Sequence, residues 1–356
     1  MAASHLAAFR GLKIFLTGHT GFKGAWLALW LRELGAEVTG FALPPPTNPS
    51  LFEMAGVGEL VEHVEGDIRD FDGLRGALDE CRPDLVFHLA AQALVRPSYE
   101  SPKETFDANV GGSVNLLEAV RLQPSVRGLI YVTTDKCYHN NEWIWGYREN
   151  DPLGGRDPYS ASKAAAEMAF AAYRHSYLAE REGLGAASVR AGNVIGGGDW
   201  ALDRIIPDCM RALQAGEAIG VRNPSATRPW QHVLDPLAGY LQLAAALLED
   251  SDRYTGSWNF GPRTDSVRSV GELVERVTTA WGGGEAQHTP AHAAPHEANL
   301  LQLNIDKAQM RLGWQPQWQA ARAIQETVVW YRQVADGASP REETRKQIRA
   351  FMEEQS

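Results

Sequence analysis

Cysteine is scarce in this chain, with three residues in 356 (Cys81, Cys137 and Cys209). An odd, widely spaced set argues against a disulfide framework, fits a reducing compartment and provides no metal-ligand spacing. Long apolar runs are also missing. LAGYLQLAAALL is too short and too interrupted to span a bilayer, and no signal-peptide-like run precedes the first glycine-rich turn. A soluble, cytoplasmic protein without a membrane partner or a metal is therefore expected. Blocks of one charge are absent as well. With 34 Lys and Arg against 44 Asp and Glu the net charge is −10, which disfavours a nucleic-acid partner but leaves room for a local basic pocket.

What is present describes a globular α/β protein. Apolar residues make up 44% and charged residues 22%, and the length suits one large or two interleaved domains. KIFLTG, EVTGFAL, LVEHVEGD, DLVFHLAA (84–91), GLIYVTT (128–134) and SVRAGNVIG read as strands, with helical patterns near 71–80 and 101–122. Strand and helix in alternation predict a Rossmann-type, doubly wound parallel sheet. Past about residue 190 glycine and proline interrupt the pattern, and helices are expected at 203–215, 235–250, 269–281 and 317–335. The expected division is a cofactor domain (1–190 plus 229–262), a smaller mixed α/β substrate domain (191–228 plus 263–335) and a polar tail (336–356) forming at most a marginal helix.

TGHTGFKG (17–24) follows a strand and opens a helix, with Gly18, Gly21 and Gly24 at intervals of three. Glycines so placed let backbone approach a pyrophosphate at a helix N-terminus, which points to a dinucleotide. Thr20 and Phe22 lie in the same loop and are assigned to the cofactor with it, whereas Lys23 reads as a solvated charge. The acid that usually holds the ribose at the end of the second strand is missing, since Ala42 stands there. Neither is there an arginine for a 2′-phosphate, so NAD rather than NADP is the expected cofactor. Asp67 and Ile68, after the third strand, can hold the adenine.

DPYSASK places Tyr159 and Lys163 four apart, on one face of a helix. A neighbouring ammonium lowers a phenol's pKa from about 10 and makes it a usable base. With Thr134 ending the fifth strand, these residues and the glycine loop resemble the extended short-chain dehydrogenases/reductases. HLAAQ (88–92), Asn109 and RPWQHV (228–233) match further landmarks of that family. That likeness assigns Leu89, Ala90, Ala91, Asn109, Tyr159 and Lys163 to NAD. Within the family, TTDKCY, GYREND, RAGNVIGGGDW and RNPSATRPWQHV resemble the CDP-glucose 4,6-dehydratase branch.

The resemblance implies oxidation of a nucleoside-diphosphate hexose at carbon 4 by NAD, loss of water across carbons 5 and 6, and return of hydride to carbon 6. Tyr159 is then the first base and Thr134 holds the oxygen, while Asp135 and Lys136 form the acid/base pair that elimination needs. As a base near neutral pH, Lys136 requires its pKa to fall from about 10.4 towards ~7–8. A purely structural pairing with Asp135 is the alternative. For the substrate, the likeness assigns Arg228 and Asn193 to the diphosphate and His296 to the pocket. Arg222 is either a companion cation or a surface charge, and Gln92, Arg96 and Ser98 approach the hexose. CDP-glucose as the substrate rests on the resemblance alone, because no feature separates cytidine from other bases. A GDP-mannose or dTDP-glucose dehydratase, or an inactive NAD-binding relative, are the alternatives. The helices at 101–122 and 159–180 are expected to pair in a bundle as a homodimer or homotetramer.

Overall fold

The computed structural model describes residues 6–263, 266–289 and 300–355. Seven parallel strands form the central sheet: β1 (Lys13–Thr17), β2 (Glu37–Ala42), β3 (Glu62–Glu65), β4 (Leu85–His88), β5 (Gly128–Val132), β6 (Gly185–Arg190) and a last strand, Gly256–Asn259. Their spatial order is β3-β2-β1-β4-β5-β6 followed by Gly256–Asn259. β4 and β5 are buried at every position, as apolar strands covered on both faces must be. Alternation then divides the core. Ile14, Leu16, Leu85, Phe87 and Ile130 face one hydrophobic layer, and Phe15, Val86, Leu129 and Tyr131 face the other.

The chain reverses direction across the sheet between β1 and β4, so their carboxyl ends splay apart into a crevice. The glycine loop leaves β1 there, HLAAQ leaves β4 and TTDK leaves β5. The helix Pro158–Ser176 begins beside them. Pro158 occupies its first turn, and the Asp157 carboxylate accepts the Ser160 N–H at 2.9 Å. The helical stretch at 101–122 is broken in the middle, because Asp107–Gly112 winds as a π turn between Pro102–Phe106 and Ser113–Leu122.

The C-terminal half adds three two-stranded pairs and the helices Ile205–Ala215, Leu234–Glu249, Val270–Trp281 and Ala320–Ala335. Leu234–Glu249 is apolar nearly all round and deeply buried. The tail departs from expectation. Pro340–Glu354 is a full helix, capped by Ser339 and docked on Phe22–Glu33. Arg345 and Arg349 both reach Glu33, Arg341 bonds Glu59 at 2.7 Å, and Phe351 packs edge-on against Trp30. Its mean polarity hides one apolar stripe, and that stripe anchors it.

Candidate active site

Gly18 has φ +77°, and a Cβ on it would stand 2.6 Å from the Ala90 nitrogen. A Cβ on Gly24 would lie 2.1 Å from the Gly18 carbonyl oxygen. Both glycines are thus demanded by the protein's own packing. Gly21 is different: its Cβ would meet only the Gly18 oxygen, at 3.4 Å. It fronts open space at the start of Phe22–Glu33, whose first N–H groups have no side-chain cap. A loop with a bare backbone and free donors fits a dinucleotide pyrophosphate. Thr20 donates to the Leu43 carbonyl at 2.9 Å, and Phe22 packs beside Gly196. Lys23 is not the solvated charge expected. It stands 5.6 Å from the centre of the Tyr240 ring, and burial, then Arg204 and Lys163, lower its pKa to about 8.

Near the end of β2, where an acid was missed, two histidines meet. His19 Nε2 lies 2.7 Å from His63 Nδ1, and its ring fits only because Gly40 has no side chain. Burial, then His63, depress the His19 pKa to about 4, so that ring is neutral near pH 7. Asp67 is held by the Arg69 guanidinium, which keeps its carboxyl below the usual range. Ile68 fills the space over Gly112, and its carbonyl accepts from Asn115 at 3.0 Å. The Leu89 and Ala90 N–H groups both donate to the Thr17 hydroxyl at 3.2 Å, fixing the backbone that leads to Ala91. Asn109 projects from the π turn. It accepts from the Gln92 N–H at 2.8 Å and donates to the Ser162 hydroxyl at 2.9 Å, tying the β4 exit to the helix of Tyr159.

Five residues lie where the turn after β5 meets the helix Pro158–Ser176. Thr134 donates to Asp135 at 3.0 Å, and Asp135 is 1% exposed. Lys136 follows in a short 3₁₀ turn and is half-buried. Tyr159 and Lys163 rise from the first turns of their helix at 8% and 7% exposure. Burial pushes the phenol pKa up to about 12, while a hydrogen bond with Thr134 and the charge of Arg204 pull the other way. Burial also lowers Lys163 to about 8, against the opposing pull of Glu167. The downward shift expected for Tyr159 therefore does not occur in the protein alone, since desolvation outweighs the Thr134 hydrogen bond and the Arg204 charge. Cys137 is buried with its thiol pushed well up, as befits a packing residue.

Three contributors escaped the sequence reading. A Cβ on Gly192 would sit 1.9 Å from Asp135 Oδ2, so this glycine makes the room that the carboxylate occupies. Arg204, paired to Asp199 at 2.8 Å, acts on both Tyr159 and Lys23. Tyr240 arrives from the buried helix Leu234–Glu249. Only Gly192 left a trace in the sequence, inside RAGNVIG, and there Asn193 drew the attention. Gly192→Ala is expected to lower kcat on the order of 100-fold by displacing Asp135, with the far-UV circular dichroism unchanged. Steady-state kinetics beside that spectrum checks both halves.

Of the residues assigned to substrate, two point elsewhere. The Gln92 amide bonds Leu94 in its own loop and Thr105 on the helix Pro102–Phe106. Ser98 is fully buried and accepts the Tyr159 N–H at 3.2 Å, so it positions that helix. Asn193 holds a left-handed φ of +49°, and its carbonyl accepts from Gln231. Arg228 is half-buried on the strand Thr227–Pro229 and donates to the Thr227 carbonyl at 2.8 Å. Arg96 and Arg222 meet at Asp203. His296 lies outside the described residues.

The chain matches the GDP-mannose 4,6 dehydratase family over residues 15–327. It is 48% identical over 328 residues to the CDP-glucose 4,6-dehydratase of Salmonella typhimurium, covering 91% of each chain. The UDP-glucose 4-epimerase of Mycolicibacterium smegmatis is 28% identical over 90% of this chain and 99% of its own. In fold it is similar to the dTDP-glucose 4,6-dehydratase of Bacillus anthracis in complex with NAD, at TM-score 0.75 and 23% identity over 91% of this chain and 97% of that one. The chain belongs to the GDP-mannose 4,6 dehydratase family of extended short-chain dehydrogenases/reductases.

Proposed function

We propose that the protein is an NAD-dependent 4,6-dehydratase that converts CDP-glucose to CDP-4-keto-6-deoxyglucose. The observation that carries this reading is the buried carboxylate of Asp135, bonded to Thr134 and followed by Lys136, in the turn that faces the helix of Tyr159. An epimerase that only oxidises and re-reduces one carbon has no use for such an acid/base pair. The likeness to the Salmonella typhimurium enzyme supports cytidine as the base. Assay of the purified protein with CDP-, dTDP-, GDP- and UDP-hexoses and NAD tests the reading, with a 4-keto product expected from CDP-glucose. Turnover with none of them would leave an inactive NAD-binding relative.

Gly18, Gly21 and Gly24 give the cofactor its pyrophosphate loop, with Thr20 and Phe22 shaping it. Asp67 and Ile68 border the adenosine side, and Leu89 to Ala91 with Asn109 border the ring side. NAD, when bound, supplies the acceptor and later the donor of one hydride, and its cationic ring favours the tyrosinate that burial opposes. Tyr159 takes the proton of the 4-hydroxyl, Lys163 supports that charge, and Thr134 holds the oxygen. Lys136 removes the proton from carbon 5. Asp135 gives a proton to the 6-hydroxyl, which departs as water, and when hydride has returned to carbon 6 Lys136 restores its proton to carbon 5.

Substitution Lys136→Met is expected to suppress water loss while substrate-dependent formation of bound NADH stays visible by absorbance. Near-normal dehydration would remove this lysine from the base role. The diphosphate falls to Arg228 and Asn193. The cofactor domain comprises 1–190 plus 229–262, and the substrate domain 191–228 plus 263–335. Phe106, Leu122, Met168 and Tyr177 are exposed apolar residues on or beside the helices at 102–122 and 158–176, which supports a homodimer or homotetramer through a helix bundle. Sedimentation at micromolar concentration should show a species of at least twice the 39.1 kDa chain mass. A cytoplasmic setting suits the three free cysteines.

A further inference from the structure

One carboxylate oxygen, Asp203 Oδ1, accepts from Arg96 Nη1 at 2.9 Å and from Arg222 Nη1 at 3.1 Å. The two arginines come from opposite halves of the chain. Arg96 opens the short helix after β4, and Arg222 follows the strand Ile219–Val221. Asp203 itself has φ +62°, a left-handed conformation uncommon outside glycine, asparagine and aspartate. The neighbouring charges are already matched, since Arg204 pairs with Asp199 and Arg211 with Asp208. The clamp therefore carries one positive charge in excess, and two when Asp203 leaves it. Its position is tied to the reaction centre from both sides. Two residues beyond Arg96, Ser98 receives the Tyr159 N–H, and the residue after Asp203 is Arg204, whose charge acts on the Tyr159 phenol.

We propose that Asp203 is a resident anion holding Arg96 and Arg222 together until the diphosphate of the sugar nucleotide displaces it. This rests on the sugar-nucleotide reading above, adds Arg96 and Arg222 to Arg228 and Asn193 as partners of the diphosphate, and adds a group that binding must expel. A diphosphate carries about two negative charges and two sets of non-bridging oxygens. It matches a pair of guanidinium groups better than one carboxylate oxygen does. Both arginines and the aspartate are about one-third to two-fifths exposed, so the exchange is inexpensive and reversible.

The test is calorimetric titration of inorganic pyrophosphate and of CDP, which carries the diphosphate but no sugar to dehydrate, into wild type and Asp203→Asn, with NAD saturating so that the glycine loop is filled. Asparagine tolerates the left-handed backbone and keeps the fold. Both ligands should bind Asp203→Asn roughly three- to tenfold more tightly, the range that two half-exposed ion pairs cover. The dependence of binding on salt should also steepen. Unchanged or weaker pyrophosphate binding would overturn the proposal and leave Asp203 as a strut that positions the arginines. Tighter pyrophosphate binding without any turnover of CDP-glucose would uphold the clamp and reject the assigned reaction instead.

Discussion

Tyr159→Phe is expected to lower dehydration by on the order of 100- to 10,000-fold, the range that a positioned acid–base group contributes. The ring is 8% exposed, and its backbone N–H is anchored to Ser98. Removing one oxygen therefore leaves packing and helix position in place. What disappears is the phenol that the Thr134 bond and the Arg204 charge both act upon, with its pKa raised by burial to about 12 in the protein alone. A group so strongly protonated at pH 7 serves as a base only when further positive charge arrives. Cofactor affinity of the variant, read by quenching of tryptophan fluorescence, should stay within a few-fold of wild type. A variant that keeps most of its turnover would transfer the first proton step to another residue.

The sheet was legible because its evidence is local. A strand buried on both faces must be apolar at successive positions, and IFL, LVF and LIYV within β1, β4 and β5 are. The pairing of Tyr159 with Lys163 was legible for the same reason, since helical spacing alone places both on one face. Contacts made across long stretches of chain were not legible. Lys23 shows its charge in sequence but not the Tyr240 ring beside it, and Arg204 belongs to no motif. Gln92 and Ser98 lie on the correct edge of the sheet, yet their polar atoms are consumed by Leu94, Thr105 and the Tyr159 backbone. The sign of the Tyr159 shift turned on burial, which spacing does not report. Composition likewise concealed the docking of the last helix, where Ile348 and Phe351 bury the apolar stripe among charges.

Glu167→Ala should destabilise the fold by about 3–5 kcal/mol, the cost of stranding a buried charge. Glu167 stands one turn beyond Lys163 and is bound bidentately by Arg190 at 2.8 and 2.9 Å, with both side chains at most 3% exposed. Thr133 and Ser188 donate to the same carboxylate, and Arg190 continues to the Tyr138 hydroxyl at 2.7 Å. The pair thus fastens the helix of Tyr159 to the ends of β5 and β6. Burial alone would raise the Glu167 pKa, but the charge of Arg190 and the three donors hold it below its ordinary value. The sign of the pH effect follows. A carboxyl whose folded pKa is depressed contributes stability above its unfolded pKa of about 4.3, and that contribution is lost as pH falls through the lower folded value. Thermal melts of wild type should therefore decline below about pH 4, while Glu167→Ala, already lacking this contribution, should show a shallower acid limb. Glu167→Gln separates charge from shape, since it keeps the volume and one acceptor but leaves Arg190 without its counter-ion. If Gln melts with wild type, the network is held by hydrogen bonds and the charge is incidental. If it melts with Ala, the ion pair itself fixes the angle at which Tyr159 and Lys163 enter the site.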